Sequence, residues 1–428
     1  MSVKELAKQT LTLIFVRQMK RIIKKHQPKV IAVVGSVGKT STKFAIATVV
    51  SESYKVLIQS GNYNVPLSIP FIFFERSLPN LYNPFGWLAA WLAGEKRIHG
   101  SFPYDVVVVE IGTDKPTDIL EFKNILQPDI AVVTAVSDEH MEFFGTVDAV
   151  AVEELSISQF SDVVLLNVDD IKARYVNAHI DAAVVKHTYG FSSDEYHIEA
   201  QQKPDGYDLR VRVSDSTTVA APVKLIAKQS LKTAAAAAAV ADLLGMDAKS
   251  IETGVAKISS PSGRMQLLKG IKNSTIIDDS YNASPLAVAA ALQALYDYEA
   301  PQRIALLGNM NELGETSQAS HEAIAKLCDP KKLDLVVTLG KDSNAYIAPI
   351  AEALGCTVLQ ASSPYEAGGM IADNLKDGGL VLIKGSQNGV FSEEAIKELL
   401  ADPSDVSLLV RQSDFWLAKK RKQFADAA

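Results

Sequence analysis

The sequence predicts an α/β protein of two mostly parallel sheets: a central phosphate-loop domain followed by a C-terminal Rossmann-like, doubly wound domain. Short apolar, β-branched runs alternate with longer helical patterns along most of the chain, the pattern of parallel-sheet construction. One of these runs opens directly into a glycine-rich turn, and the alternation resumes after a turn-rich break near residue 260. At 428 residues the chain is too long for one ordinary core.

Residues 1–28 read as an amphipathic helix with a basic side. The apolar stretch Leu11 to Val16 is too brief to span a bilayer and no small-residue cleavage site follows it, so stable membrane insertion is not expected. Residues 29–258 form the central domain, in which "VIAVVG", "DVVVVEIG", "DIAVVTAV" and "DVVLLNV" read as buried strands. From about Tyr189 to Val223, polar alternation with Gly and Asp turns predicts a small antiparallel excursion. In "LKTAAAAAAVADLLG" the best helix formers run to a stop at Gly245, and the alanines mark close helix packing. The turn-rich "SSPSGR", Ser259 to Arg264, places the domain boundary. Residues 259–428 then repeat the architecture, though not the sequence, with "STIIDD", "RIALLG", "DLVVTLG", "CTVLQ" and "GLVLIKG" as strands. The basic tail "WLAKKRKQF" reads as a solvated helix.

Composition narrows the function. With 43 basic and 50 acidic residues the net charge is -7, and no basic face dominates, so nucleic acid is not expected as a partner. Cys328 and Cys356 are the two cysteines, far apart and without a histidine cluster. Neither a disulfide framework nor a zinc site is indicated, and a reducing cytoplasm fits.

The segment Gly35, Ser36, Val37, Gly38, Lys39, Thr40, Ser41 follows the first strand and precedes a helical pattern. Glycines let backbone N–H groups approach phosphate, the helix N-terminus adds partial positive charge, Lys39 neutralises, and Thr40 is placed for magnesium. The usual G-x-x-x-x-G-K-[ST] spacing wants a glycine where Val33 stands, so this P-loop ATPase-like turn is tighter. ATP is the default nucleotide. Glu110 ends a strand at the carboxyl edge where such sheets bind ligands, and is either a magnesium ligand or a solvated strand-end acid. His140 lies after another strand at the same edge, as a ligand, a catalytic group or a structural histidine. In "IIDDSYNASP", Asp279, Tyr281 and Asn282 stand at a strand end before a proline-started helix, where they reach a ligand or serve as turn and cap residues.

These stretches in order resemble the Mur ligase family of ATP-dependent amide-bond-forming enzymes. "GSVGKTS", "GNYNVPLSIP", "VVVEIGTDKPTDI", "TAVSDEHMEFFGTVDAVA", "IIDDSYNASP", "LLGNMNELGE" and "VLIKGS" each resemble one of its motifs. The resemblance is greatest to the branch that adds D-alanyl-D-alanine to a muramoyl peptide, and it implies a carboxylate activated by ATP as an acyl phosphate and then attacked by an amine. It further implies that Lys39 and the loop hold phosphate, and that Thr40, Glu110 and His140 serve Mg2+ directly or through water. Arg264 and Asn282 would reach ATP from the C-terminal domain, with Asp279 near the ribose. Asn62, Asn64, Thr113 and Lys384 would meet the peptide substrates.

The chain departs from the family at four places. Glu154 stands where members carry a lysine that becomes a carbamate and bridges to magnesium. It is either a carboxylate replacement, and so a catalytic and metal residue with Lys39 and His140, or an exposed helix acid. "QSLKTA" replaces an H-N-x-x-N-A motif, which touches nucleotide preference. "KGSQNGVF" lacks the arginine often found soon after the K-G-S. About thirty residues precede the first strand, where the family ligase carries a domain gripping UDP. A ligase of the same architecture acting on a non-UDP or lipid-linked carrier, and a nucleotide-binding scaffold with a degenerate site, are the alternatives. Trp87 and Trp91, four apart on a helix, either pack on their own domain or make peripheral contact with a partner or membrane surface.

Overall fold

The computed structural model describes residues 3–59, 66–203, 206–214 and 217–424. The chain opens with the long helix α1 (Val3–His26), whose Phe15, Met19 and Ile22 are buried. Strand β1 (Lys29–Val34) leads through the glycine turn into α2 (Lys39–Val50). There follow β2 (Val56–Ile58), α3 (Ile69–Phe74), α4 (Pro84–His99), β3 (Val106–Glu110), β4 (Ile130–Val133), β5 (Val163–Asn167) and β6 (Val185–Gly190). A meander of β7 (Tyr196–Lys203), β8 (Gly206–Ser214) and β9 (Thr217–Val223) completes the first sheet, whose order is β2-β3-β1-β4-β5-β6-β7-β8-β9.

The ladders from β2 to β6 are parallel, and so is the short pairing of β6 with β7; β7, β8 and β9 are antiparallel. The antiparallel excursion therefore extends the parallel sheet and does not stand apart from it. Its alternating burial, with every second residue of β8 inward, is the pattern of a sheet with one wet face. On the dry face lies the alanine helix Leu231–Leu243, in which Ala234 to Ala241 are wholly buried against α2 on one side and β6, β7 and β8 on the other. Methyl side chains permit that double contact, since a larger residue would have no free side to occupy.

The second sheet has the order β10-β11-β15-β12-β13-β14, from β10 (Gln266–Lys269), β11 (Thr275–Asp279), β12 (Arg303–Gly308), β13 (Leu335–Leu339), β14 (Val358–Ala361) and β15 (Leu380–Lys384). All its ladders are parallel except β10 with β11. Every strand quoted from the sequence is present, and β2, β6 and β10 are additional. These three are short or half-exposed, so they lack the apolar run that marks a buried strand.

The tail differs from the expected solvated helix. In the helix Asp414–Gln423, Lys420 is buried, 2.8 Å from Glu393 and 2.6 Å from Glu394, and Arg411 lies 2.7 Å from Glu393. Two buried acids and two cations satisfy one another here, and removing one would leave a charge uncompensated. Arg411 also donates to the carbonyls of Ser280 and Tyr281, tying the tail to the loop after β11.

Backbone contact fixes the helix Ala248–Ala256 on α2, since a Cβ added at Gly254 would stand 2.6 Å from Val49 Cα. Gly254→Ala is expected to cost about 1–3 kcal/mol through forced backbone displacement. Gly369→Ala, in a helix with nothing near the added carbon, should be neutral or mildly stabilising. Urea midpoints of the two variants check this, and equal midpoints would refute it.

Candidate active site

The glycine turn stands where strand order reverses: β1 has β3 on one side and β4 on the other, both parallel to it. Ligands bind at such a reversal, outside the carboxyl ends of the strands. Register places Glu110 opposite Val33 and Val133 opposite Val34, so β3 and β4 end level with the turn. Gly35 has φ +123°, and an added Cβ would lie 2.3 Å from Thr134 Oγ1; Gly38 has φ +90° and caps α2. The Thr134 hydroxyl, just past β4, lies within bonding distance of the carbonyls of Val34 (3.0 Å) and Val37 (2.6 Å), while Ser36 N–H donates to the Ala135 carbonyl. The turn is thus sewn to the neighbouring strand.

Lys39 Nζ folds back onto the Gly35 carbonyl and lies 3.4 Å from Glu139. Burial opposes its charge, but Glu139, Glu154 and Glu110 together outweigh burial and raise it above the ordinary lysine range. One turn on, Lys43 Nζ is buried 3.1 Å from Glu110 Oε2. The Glu110 carboxylate also accepts from Thr40 Oγ1 at 3.0 and 3.1 Å. Burial alone would raise Glu110, yet Lys43, Arg264 and Lys39 hold it below the usual carboxylate range.

A cleft of about 200 Å³, open to solvent, lies over the turn. Residues Ser36 to Ser41 and Glu110 form one wall; Arg264, Asp279, Asn282 and Lys384 of the second sheet form the other. Arg264 stacks on Tyr281, its guanidinium 4.1 Å from the ring centre. A smaller hollow behind the turn is lined by Gly38, Thr134, Asn167, Tyr189, Thr233 and Ala287, among others.

The structure separates the four metal candidates. Thr40 and Glu110 are together, a hydroxyl and an ionised carboxylate beside the glycine turn, a donor set of the kind a hard cation takes. His140 is turned elsewhere: Nδ1 lies 2.8 Å from Glu312, and Nε2 lies 3.7 Å from Glu139 and 3.8 Å from Asp114. Burial disfavours its cation, but Glu312 and Glu139 outweigh that and raise it above the usual imidazole range. Glu154 is buried, not exposed, beneath the turn, where its Oε2 accepts the Gly35 N–H at 2.7 Å. Burial pushes its carboxyl up to about 8, with Lys39 opposing. Among the described residues no three His, Cys, Asp or Glu side chains converge into a metal cage.

The substrate candidates fare unevenly. Asn62 and Asn64 lie outside the described residues. Thr113 is buried away from the cleft lining, its hydroxyl donating to the Lys115 carbonyl at 2.9 Å. Lys384 reaches the cleft wall but is engaged by Asp279 Oδ2 at 2.8 Å and by the Asn282 carbonyl, so it shapes the loop after β11. Sequence reasoning missed Lys43, Glu139 and Glu312. Lys43 was discoverable from its spacing of four after Lys39; the other two depend on which loops meet.

Residues 33–241 match the Mur ligase middle domain, and residues 263–387 match the Mur ligase, glutamate ligase domain. A UDP-N-acetylmuramoyl-tripeptide–D-alanyl-D-alanine ligase of Bacillus subtilis is 26% identical over 382 residues, covering 88% of this chain and 76% of its own. The ligase of that name from Rickettsia prowazekii is 27% identical over 372 residues, covering 84% and 75%. In fold, the chain is similar to the crystal structure of MurF from Acinetobacter baumannii, with a TM-score of 0.75, 21% identity and coverage of 91% and 80%. A MurF ligase of Thermotoga maritima in complex with ADP gives 0.73, 21% identity, and coverage of 91% and 83%.

Asp278, next to the cleft at the end of β11, is wholly buried and accepts from Ser280, with Oδ2 unpartnered among the described residues. Burial pushes its carboxyl from 3.8 up to about 6. The native state then holds this proton more tightly than the unfolded chain: stability is full below about 3.8, declines as pH rises to about 6, and is level above. Relative to Asp278→Asn, the wild type should lose on the order of 3 kcal/mol between about pH 4 and pH 7 in denaturant titrations. A constant separation between the two proteins would refute it.

Proposed function

This chain belongs to the Mur ligase family, and from that premise we propose that it joins D-alanyl-D-alanine to a muramoyl-peptide carboxylate at the expense of ATP. The observation that carries the reading is the cleft, which the phosphate turn and the loop after β11 build jointly. The nucleotide's phosphates would lie along the backbone N–H groups of residues 35–41, with the base end toward the hollow behind Gly38 and Thr233. Lys39 would leave the Gly35 carbonyl and Glu139 for the phosphates. Both contacts are substitutes for an anion, so the exchange replaces one charge partner with another.

Magnesium fits Thr40 and Glu110, where it would neutralise phosphate charge when bound. Lys43 keeps Glu110 ionised and aimed at Thr40. Arg264 and Asn282 approach from the second sheet, so charge neutralisation and alignment are completed by groups from both halves, the main requirement of phosphoryl and acyl transfer. Glu154 braces the turn from below through the Gly35 N–H. Burial raises its carboxyl to about 8, with the Lys39 charge opposing that rise. The two free, buried cysteines accord with a reducing cytoplasm.

Phosphate release should require ATP, a UDP-muramoyl tripeptide and D-alanyl-D-alanine together. No stimulation by the pair over either alone would overturn the substrate assignment, and release with another muramoyl carrier would redirect it. Lys39→Ala is expected to abolish turnover, which separates a ligase from a scaffold. Glu110→Gln should lower kcat by about two orders of magnitude or more, since it removes an ionised group aimed at developing charge. Unchanged kcat in that variant would dismiss the Thr40–Glu110 cation site.

A further inference from the structure

Helices α1 and α4 lie side by side and run parallel. Phe15 stacks near Trp87 with ring centres 5.7 Å apart, Gln18 bonds to the Trp91 carbonyl and Glu95, Arg21 reaches Glu95, and Lys25 donates to the Ile98 carbonyl. Rising numbers on one helix meet rising numbers on the other. Trp87 is therefore a packing residue: its ring also meets Phe71, and its indole N–H lies within bonding distance of the carbonyls of Asn80 and Leu81. The outward residues are different ones.

Along the pair the exposed apolar side chains precede the main basic cluster. After an N-terminal stretch of α1 that mixes Leu6 with Glu5, Lys8, Gln9 and Thr10, Leu13 and Ile14 are exposed on α1, and Phe85, Leu88, Trp91 and Leu92 on α4. Phe85 is 81% exposed and Leu13 72%. The C-terminal halves present Arg17 and Lys24 on α1 and Lys96 on α4, with Lys20 beside them donating to the Asn124 carbonyl at 2.6 Å. Because the helices are parallel and Phe15 meets Trp87, Gln18 Trp91 and Lys25 Ile98, Leu13 and Ile14 lie level with Phe85, Arg17 level with the Leu88–Leu92 stretch and Lys24 level with Lys96. Glu95, the acid among these cations, is already engaged by Gln18, Arg21 and His99. Glu5 is the acid in the N-terminal stretch of α1.

We propose that the paired helices α1 and α4 dock the protein reversibly on an anionic phospholipid surface, with Phe85, Leu88, Trp91 and Leu92 entering the headgroup boundary and Arg17 and Lys24 meeting lipid phosphates. An interfacial element needs an apolar set of Phe, Trp and Leu flanked by Lys and Arg, and low overall hydrophobicity. Among the described residues no helix is long and apolar enough to cross a membrane, so the contact is superficial. Charge selects this occupant. A chain of net charge -7 concentrates cations beside its exposed apolar residues, where they suit a negative surface and would repel the same collar on a second copy. The inference is independent of the ligase reading, because no residue of the nucleotide cleft takes part.

Sedimentation of the full chain with phosphatidylcholine vesicles, with and without phosphatidylglycerol, tests it. Binding is expected with the anionic vesicles, weakening with added salt and shifting Trp91 fluorescence to the blue, the shift being absent in Trp91→Phe. Arg17→Glu with Lys24→Glu should weaken binding more than tenfold, given about 1 kcal/mol for each basic residue near such a surface. Phe85→Glu with Leu88→Glu should abolish it. These side chains are exposed, so thermal midpoints and ATP affinity should hold, confirming folded variants. No sedimentation with anionic vesicles, or equal sedimentation with neutral ones, would overturn the proposal. Lipid-independent self-association that Phe85→Glu removes, without vesicle binding, would assign the face to a second copy.

Discussion

Strand β1 is held between β3 and β4 by two parallel ladders that end within one residue of each other, at Val33 and Val34. That alignment decides what surrounds the phosphate turn. It places Glu110 at the height of Val33 and Thr134 beside the turn, so the turn's carbonyls are capped by one neighbour while its first helical hydroxyl meets a carboxylate from the other. A register shift of one residue would point Glu110 to the opposite face of the sheet. It would also leave Lys43 buried without its partner, a loss far larger than that of a surface pair. The positive φ at Gly35 and Gly38 follows from the same geometry, because the chain must turn sharply within the space that Thr134 leaves.

The cleft's second wall depends on a different kind of interaction. Asp279 and Lys384 are register partners on β11 and β15, and their ion pair, with Lys384 also gripping the Asn282 carbonyl, shapes the loop that carries Tyr281 and Asn282. Arg411 holds the same loop from behind through Ser280 and Tyr281, and is itself neutralised by Glu393. Those pairs are internal to the second half, and the His140–Glu312 pair joins the loop after β4 to the loop after β12 across the cleft. Each of these pairs is shielded from solvent on at least one side, so screening by salt is incomplete.

The buried strands and the phosphate turn were legible in the sequence because both are local signals: apolar runs of strand length, and glycines before a lysine at a helix start. Glu110 was legible by its position at a strand end. The contacts of His140 and Glu154 were not, since each depends on a partner more than a hundred residues away, Glu312 and Gly35 respectively. Composition misled at Lys420, because a run of lysines and arginines looks solvated unless the acids that receive it are known. At Trp87 and Trp91 the sequence left packing and peripheral contact open for both, and Phe15 and Phe71 distinguish them by receiving Trp87. Contacts between distant segments are what a single sequence leaves unwritten.

The glycine contact between the helix Ala248–Ala256 and Val49 has a mechanical consequence. Backbone pressed on backbone leaves no compliant side chain between them, and the alanine helix beside it is equally without slack. The phosphate turn, α2 and the outer meander should therefore behave as one stiff body. Any hinge that opens the cleft must then lie in the connection at residues 259–265, where the chain passes from this body to the second sheet. Stiffness in one place assigns flexibility to another, and here it confines the opening motion to one short joint.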